Sequence, residues 1–560
     1  MIKVFVTSVF WLISLNLFSQ TVTIPSIEWQ RCYGGSQNDK GYCISRTADD
    51  GFIFAGCSGS LDGDVLPLTD EGDLRHGSKC DYWFVKINAT GDTIFKWNPG
   101  GTGSDVAGSA IQTSDGGYLI GGGSESNDVD VTGNHGSFDF WVLKLDANGQ
   151  EQWQHCYGGT LYEDYGSLAE VPGSGFVFCG GTGSNNGDVS GNHGSSDFLL
   201  IKTDNGGAFQ WSKCYGGSGY EKAFDVKPCS DGGYILAGFT DSQNGDVTGL
   251  HGVNQDGWLV KADAAGNIQW EKCFGGMRQD EFFRVIQLPN GNFVATGSTN
   301  SSDGDISFLH GDTSSYNPPD DAWVIMTDAN GNLKWSKTFG GSNDDEFRSL
   351  LCDALNNIDV VGFTFSNDGD LVMNYGDADY WIAGVDTNGA LMWSKTFGGA
   401  GTDICYDVAA TQEGGLMVNG YTASGCRCDS ALAKCTDTCL NGSSPQPDHD
   451  VYALHDSLST QYTDYWVVKF GTVVGISKTI SAQLKIFPTL AHDKIRVSGS
   501  GFNEGSSELR IISSDGKEMM RKPFTKQQQE VLNVSSLPQG MYFVEVINTK
   551  ANALGKFVKY

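Results

Sequence analysis

Phe140-Trp141-Val142-Leu143-Lys144 runs into Asp146-Ala147-Asn148-Gly149, then into Trp153 and Gly158-Gly159. The first segment is apolar on consecutive residues, as in a strand covered on both faces. The second is an Asx-x-x-Gly turn, with Gly near the position where a hairpin loop needs positive φ. The third is a new strand that opens on a Trp and leads to a glycine pair. The two Trp are 12 residues apart, and the same interval recurs in Trp258/Trp270, Trp323/Trp335 and Trp381/Trp393. A repeated hairpin of fixed register follows.

Outward from this stretch, seven copies appear. They are Trp29 with Gly34-Gly35, Trp97 with Gly100-Gly101, Trp153 with Gly158-Gly159, and Trp211 with Gly216-Gly217. Trp270 with Gly275-Gly276, Trp335 with Gly340-Gly341, and Trp393 with Gly398-Gly399 complete the set. Successive Trp are 68, 56, 58, 59, 65 and 58 residues apart, so loop length varies. After each Gly-Gly comes an acidic residue, read as Asp39, Asp105, Asp164, Glu221, Glu281, Glu346 and Asp403. A short apolar strand follows, then a turn such as Ser114-Asp115-Gly116-Gly117 and a second strand such as Tyr234-Ile235-Leu236-Ala237. A long polar loop leads to the third strand.

Four strands in roughly 60 residues make a propeller blade. The expected fold is all-β, a seven-bladed β-propeller over residues 21–470. The chain starts on a fourth-strand sequence (27–33) and its last unit ends on a third strand (465–470). These two are expected to pair and close the ring, which removes the exposed edge an open array would keep. An open solenoid is the alternative.

Residues 1–19 read as a secretory signal: Lys3 supplies the positive start and Val4 to Phe18 the apolar stretch, too short for a ~20-residue span. Net charge is −31, from 67 acidic and 36 basic residues. That excludes nucleic acid as a partner, because phosphate would be repelled. Fifteen cysteines is an odd number, so at least one is unpaired. Cys426, Cys428, Cys435 and Cys439 lie in one long loop, with spacing open to zinc or, after export, to two disulfides. Cys32, Cys156, Cys214 and Cys273 share one repeated position and read as packing residues.

Gly-Gly, an acidic residue, then Ser-Asp-Gly-Gly-Tyr-x-x-Ala-Gly resembles the bacterial seven-bladed β-propeller repeat. The resemblance covers Trp29 to about Phe470 and implies a fold but no activity. After a linker at 471–482, residues 483–560 alternate as a small β-sandwich. Their motifs resemble the C-terminal sorting domain of the Bacteroidetes type IX (Por) secretion system. The matching residues are Pro488, Gly516, Lys517, Pro538, Gly540, Tyr542, Lys556 and Lys559. The opening Tyr-Pro-Asn-Pro of that family is here Phe487-Pro488-Thr489-Leu490, which keeps only the first proline. The resemblance implies Sec export through the periplasm, contact with the secretion machinery, and delivery as a released or surface-attached protein.

Asp62-Gly63-Asp64, Asn186-Gly187-Asp188, Asn244-Gly245-Asp246, Asp303-Gly304-Asp305 and Asp368-Gly369-Asp370 recur in the long loops. Oxygen-rich loops of this kind are candidate Ca²⁺ ligands, although Asp and Asn also cap turns without metal. His76, His135, His193, His251 and His310 follow them. Their repetition around a ring argues for a structural hydrogen bond. Arg284 and Arg348 read as equivalent blade positions. No catalytic motif stands out and no cofactor is required. The expected role is a monomeric binding module for a carbohydrate, protein or surface partner. The alternatives are a secreted glycosidase-like hydrolase, which needs a non-repeated acidic pair in the central funnel, and a passive surface-layer component.

Overall fold

The computed structural model describes residues 25–471 apart from 66–78, 316–317, 354–356, 372 and 425–462, together with the strands of 483–559 and some of the residues joining them. Thr23–Val473 form one unit and the C-terminal strands belong to another.

Alternating apolar runs and tight turns give seven four-stranded antiparallel sheets in the first unit. Blade 1 runs Asp39–Arg46, Phe52–Ser58, Asp81–Ile87, Thr93–Trp97. Blade 7 runs Asp403–Ala410, Leu416–Thr422 and Asp464–Phe470, and its fourth strand is Ile27–Tyr33 from the start of the chain. Trp29 stands opposite Lys469 and Tyr33 opposite Tyr465. The fold is therefore the seven-bladed propeller, with the closure expected from the repeat.

The strand after each Gly-Gly lies innermost, and neighbouring blades meet through it. Ser167 Oγ of blade 3 donates to Asp225 of blade 4 at 2.8 Å. The Val285 amide of blade 5 donates to the same carboxylate at 3.1 Å. The Ile44 amide of blade 1 donates to Asp407 of blade 7 at 3.0 Å.

Third strands such as Asp139–Leu145 are buried at every residue, which is why they lack polar alternation. Trp83, Trp141, Trp258, Trp323, Trp381 and Trp466 on these strands are fully buried. Their indole N–H groups need partners, and in five of the six a fourth-strand side chain supplies one: Trp141 donates to Gln154 at 2.9 Å and Trp466 to Gln30 at 2.8 Å, and Trp258, Trp323 and Trp381 donate to Glu271, Ser336 and Ser394. The fourth-strand Trp pack instead under the next blade's turn. At Gly266, where φ is +76°, a Cβ would lie 2.9 Å from the Trp211 ring. The hydroxyl of Tyr215 donates to the Gly266 carbonyl at 2.7 Å, and Tyr33 does the same to Gly91 at 2.6 Å. Blades 7, 2 and 3 are thus stapled to the next by an indole and a phenol, and in blades 4, 5 and 6 Phe274, Phe339 and Phe397 stand where the phenol would be.

Cys57 and Cys80 form a disulfide between the second strand of blade 1 and the residue before its third strand. Neither stands at a repeated cysteine position, so the sequence held no signal for it. Of the four cysteines at the repeated position, Cys156 and Cys273 are buried, whereas Cys32 and Cys214 are half-buried.

The C-terminal unit has a three-stranded sheet (Gln483–Phe487, Lys494–Ser500, Glu530–Asn533) and a five-stranded one built on Ser507–Ser513, Gly540–Ile547 and Asn552–Lys559. Ile495 and Val497, Leu509 and Ile511, and Tyr542 and Val544 are buried at period two and form its core.

A chain beginning at residue 37 would lack Ile27–Tyr33 and leave Asp464–Phe470 as a bare, apolar edge. We expect it to self-associate on size-exclusion chromatography, and a peptide of residues 25–36 added during refolding should restore the monomer. A monomeric truncated chain melting like the full one would refute the closure.

Candidate functional site

The repeated carboxylates are occupied by architecture. In every blade the acid at the head of the innermost strand accepts the amide of the second glycine of Gly-Gly, as in Gly35 to Asp39 at 2.7 Å and Gly159 to Glu163 at 2.9 Å. Serine and threonine hydroxyls of the second-strand end fill the same carboxylates, Ser60 to Asp39 at 2.9 Å and Ser301 to Asp280 at 2.9 Å. Burial pushes Asp39, Asp280 and Asp345 up to about 7, against these hydrogen bonds. Three positions differ from the sequence reading. Glu163, Asp280 and Asp345 hold the turns, whereas Asp164, Glu281 and Glu346 come one residue later. On a strand, one residue is the other face.

The Asp-Gly-Asp loops brace the same turns. The first member accepts a backbone amide just after Gly-Gly: Ser36 to Asp62 at 2.7 Å, Met277 to Asp303 at 2.9 Å, Ser342 to Asp368 at 2.7 Å. The last member reaches the first glycine, with Asp188, Asp246, Asp305 and Asp370 each 3.3 Å from that amide. Asp64 lies 4.0 Å from the Lys96 ammonium. The central glycine is required: at Gly245, φ is +70° and a Cβ would sit 2.3 Å from the Gly216 carbonyl. His135, His193, His251 and His310 place Nδ1 2.6–2.7 Å from Asp139, Asp197, Asp256 and Asp321, the carboxylates that open the third strands. Among the described residues, no three His, Cys, Asp or Glu side chains group closely enough to hold a metal ion. His76, Cys426, Cys428, Cys435 and Cys439 lie outside the described residues.

What does not repeat gathers at the central channel. Two residues past Glu281 and Glu346 stand Phe283 and Arg348, and the equivalents in blades 4, 7 and 1 are Phe224, Tyr406 and Tyr42. These side chains touch from blade to blade. Phe224 lies 5.3 Å from Phe283, the Arg348 guanidinium 3.9 Å above the Phe283 ring, and Tyr406 5.0 Å from Tyr42. In blade 2 the position is Gly108, and the Tyr165 ring of blade 3 takes the space. Arg348 is ion-paired with Glu346. Arg284 is not its equivalent, for it sits one residue deeper in its strand. There it spans the channel between Asp225 of blade 4 (3.8 Å) and Asp407 of blade 7 (3.6 Å).

At the mouth, on the Gly-Gly face, Glu281 and Glu346 stand near Asp320 and Asp344. Glu281 is pushed up to about 7 by burial and by Glu346 and Asp320, with Arg348 opposing. Asp320 is pushed to about 7 by burial, Glu346 and Asp344. Lys222 pairs with Asp164 at 2.6 Å and rests 4.8 Å over Phe224, and Lys40 lies 5.0 Å over Tyr421. On the connections of the Gly-Gly face, Leu61, Val129, Leu161, Val253, Met277, Phe308, Phe365 and Met373 are exposed.

In the C-terminal unit the Tyr542 hydroxyl donates to the Pro538 carbonyl at 2.9 Å, which folds the Pro-x-Gly-x-Tyr motif onto its own strand. Gly540 opens that strand, and Lys556 and Lys559 lie on the final one, Asn552–Lys559. Pro488, Gly516 and Lys517 lie outside the described residues. The family model described as "Secretion system C-terminal sorting domain" matches residues 485–560. These residues are a sorting domain of the type IX (Por) system. The chain is accordingly a secreted or outer-surface protein, and the sorting domain is its contact with the secretion machinery. No described helix is long and apolar enough to cross a membrane.

A regulatory protein of Caulobacter vibrioides, FlaEY, is 23% identical over 296 residues, 48% of this chain and 30% of its own. The chain thus spans less than a third of that relative. Among solved structures, puromycin hydrolase is 10% identical with a TM-score of 0.39, over 93% of this chain and 63% of its own. YCF48 bound to D1 peptide is 10% identical with a TM-score of 0.34, over 71% and 96%.

Asp280→Asn is expected to lower stability by about 1–3 kcal/mol, because buried donors lose an acceptor. Glu281→Gln, one residue on, should act oppositely at alkaline pH. Its carboxyl binds a proton more tightly in the fold than in the unfolded chain, so the native fold weakens as pH rises from 4.5 to about 7. The melting temperature of Glu281→Gln should therefore match the parent near the acid end and exceed it above that window. A pH-independent difference would refute the placement.

Proposed function

We propose that the propeller is a non-catalytic binding module that takes a protein partner on its Gly-Gly face. The observation that carries this is the distribution of departures from the repeat. The bond from the second glycine to the turn acid recurs in all seven blades, whereas the channel position three residues past that acid changes chemistry from blade to blade, as Tyr42, Phe224, Phe283, Arg348 and Tyr406. The rim favours protein over carbohydrate. Six of its eight exposed apolar side chains are aliphatic or Met (Leu61, Val129, Leu161, Val253, Met277, Met373), which pack against side chains rather than against sugar rings. Phe365 donates its amide to the Asp344 carbonyl at 2.9 Å, beside the carboxylates of the mouth, and Met277 and Phe308 are exposed on connections of blade 5 on the same face. The sorting domain would deliver this face outside the cell.

The test is to pan a random-peptide display library on the full chain and on the triple variant Met277→Ser/Phe308→Ser/Phe365→Ser. Co-sedimentation with insoluble polysaccharides runs in parallel, with Ca²⁺ and with chelator, because the Asp-Gly-Asp loops border the same face. We expect enriched peptides that the variant no longer holds, and no polysaccharide retained. Peptides indifferent to the variant, or firm retention on one polysaccharide, would overturn the reading.

A further inference from the structure

We infer that the acidic side of the channel mouth, at blades 5 and 6, receives a cationic side chain, Lys or Arg, of that protein partner. The inference rests on the reading above and names the chemistry its centre selects. Glu281 and Glu346 stand at the Arg348 guanidinium, Asp320 and Asp344 lie beside Glu346, and Lys222, already paired with Asp164, is the other cation that acts on Glu281. Arg348 is committed to Glu346 and to the Phe283 face. Asp344 accepts the Asp320 amide at 3.1 Å, and among the described residues no donor reaches the Glu281 carboxylate. Carboxyl groups at the mouth therefore outnumber the cations the chain supplies there.

The aromatic walls point the same way. Three rings of this funnel already carry the chain's own cations: Arg348 on Phe283, Lys222 on Phe224 and Lys40 on Tyr421. A ring face attracts a cation most where water is scarce. Arg348 also lies 5.6 Å from the Phe363 centroid and 5.8 Å from that of Tyr406, so those two rings gather at the same mouth. A carboxylate rim with aromatic walls suits an ammonium or guanidinium and opposes an anion. With 67 acidic residues against 36 basic ones, the whole molecule draws in a basic partner before contact. An amino sugar carries the same charge but leaves the aliphatic rim without a partner, so the peptide is favoured.

The experiment measures binding of a short fluorescein-labelled oligolysine to the full chain by anisotropy, with a chitosan oligosaccharide as the second probe. Glu281→Gln should weaken oligolysine at least about tenfold, as for loss of one partner in a desolvated charge pair. Arg348→Met should do the reverse, tightening it about threefold or more, because it frees Glu346 and a ring face. Glu151→Gln, on an exposed outer strand, removes the same charge and should change nothing, which separates a local site from general attraction. Opposite signs at neighbouring residues cannot come from partial unfolding. Equal affinities for Glu281→Gln and its parent, or weakening by both funnel variants, would overturn the inference. So would chitosan binding that depends on Glu281 while oligolysine binding does not. In each case peptides lost on the rim variant would leave the protein-binding face standing.

Discussion

Each of the seven Gly-Gly turns hands the amide of its second glycine to a buried carboxylate four residues ahead, at 2.7–2.9 Å. This bond fixes where the innermost strand begins, and hence which of its residues face the channel. The hydroxyls, the Asp-Gly-Asp loops and the histidine–aspartate pairs all converge on the same turn. An unpaired buried carboxylate would be costly, so the surrounding donors are a condition of placing it there.

The architecture was legible because it is repetitive. Trp spacing, the turn glycines and the mismatched ends were enough for the blade count and the closure. What escaped was finer than the repeat. Asp280 and Glu281 are adjacent acids, and composition cannot say which one grips the turn. The second of each such pair in blades 3, 5 and 6 is the channel residue. Between them and Arg284 the strand pairing also slips, Phe282 facing Gly297 and Arg284 facing Thr296, so strict alternation fails there. The same slip recurs in blade 6, Phe347 facing Gly362 and Ser349 facing Val361, and Arg284, four residues past its turn acid, lies beyond it while Arg348, three past, lies within it, so the two have different neighbours.

The candidate site was illegible for a different reason. Glu281 and Glu346 lie 65 residues apart and Phe224 and Phe283 lie 59 apart, and only the rotation of successive blades brings them together. No local motif records such a meeting. The same geometry divides labour between positions: those that hold turns cannot vary, while those one residue on are free to, since neighbouring strand residues answer to opposite faces.

Closure of the ring has a kinetic side. Gln30 and Trp466, partners in the last blade, are 436 residues apart in the chain. Six blades form from contacts within about 60 residues of sequence, whereas the seventh must wait for the two extremities of the propeller to find each other. Until then Asp464–Phe470 is a sticky, unpaired margin. Ring completion is therefore the slow and concentration-sensitive step of folding, and the opening residues of the propeller serve as the latch.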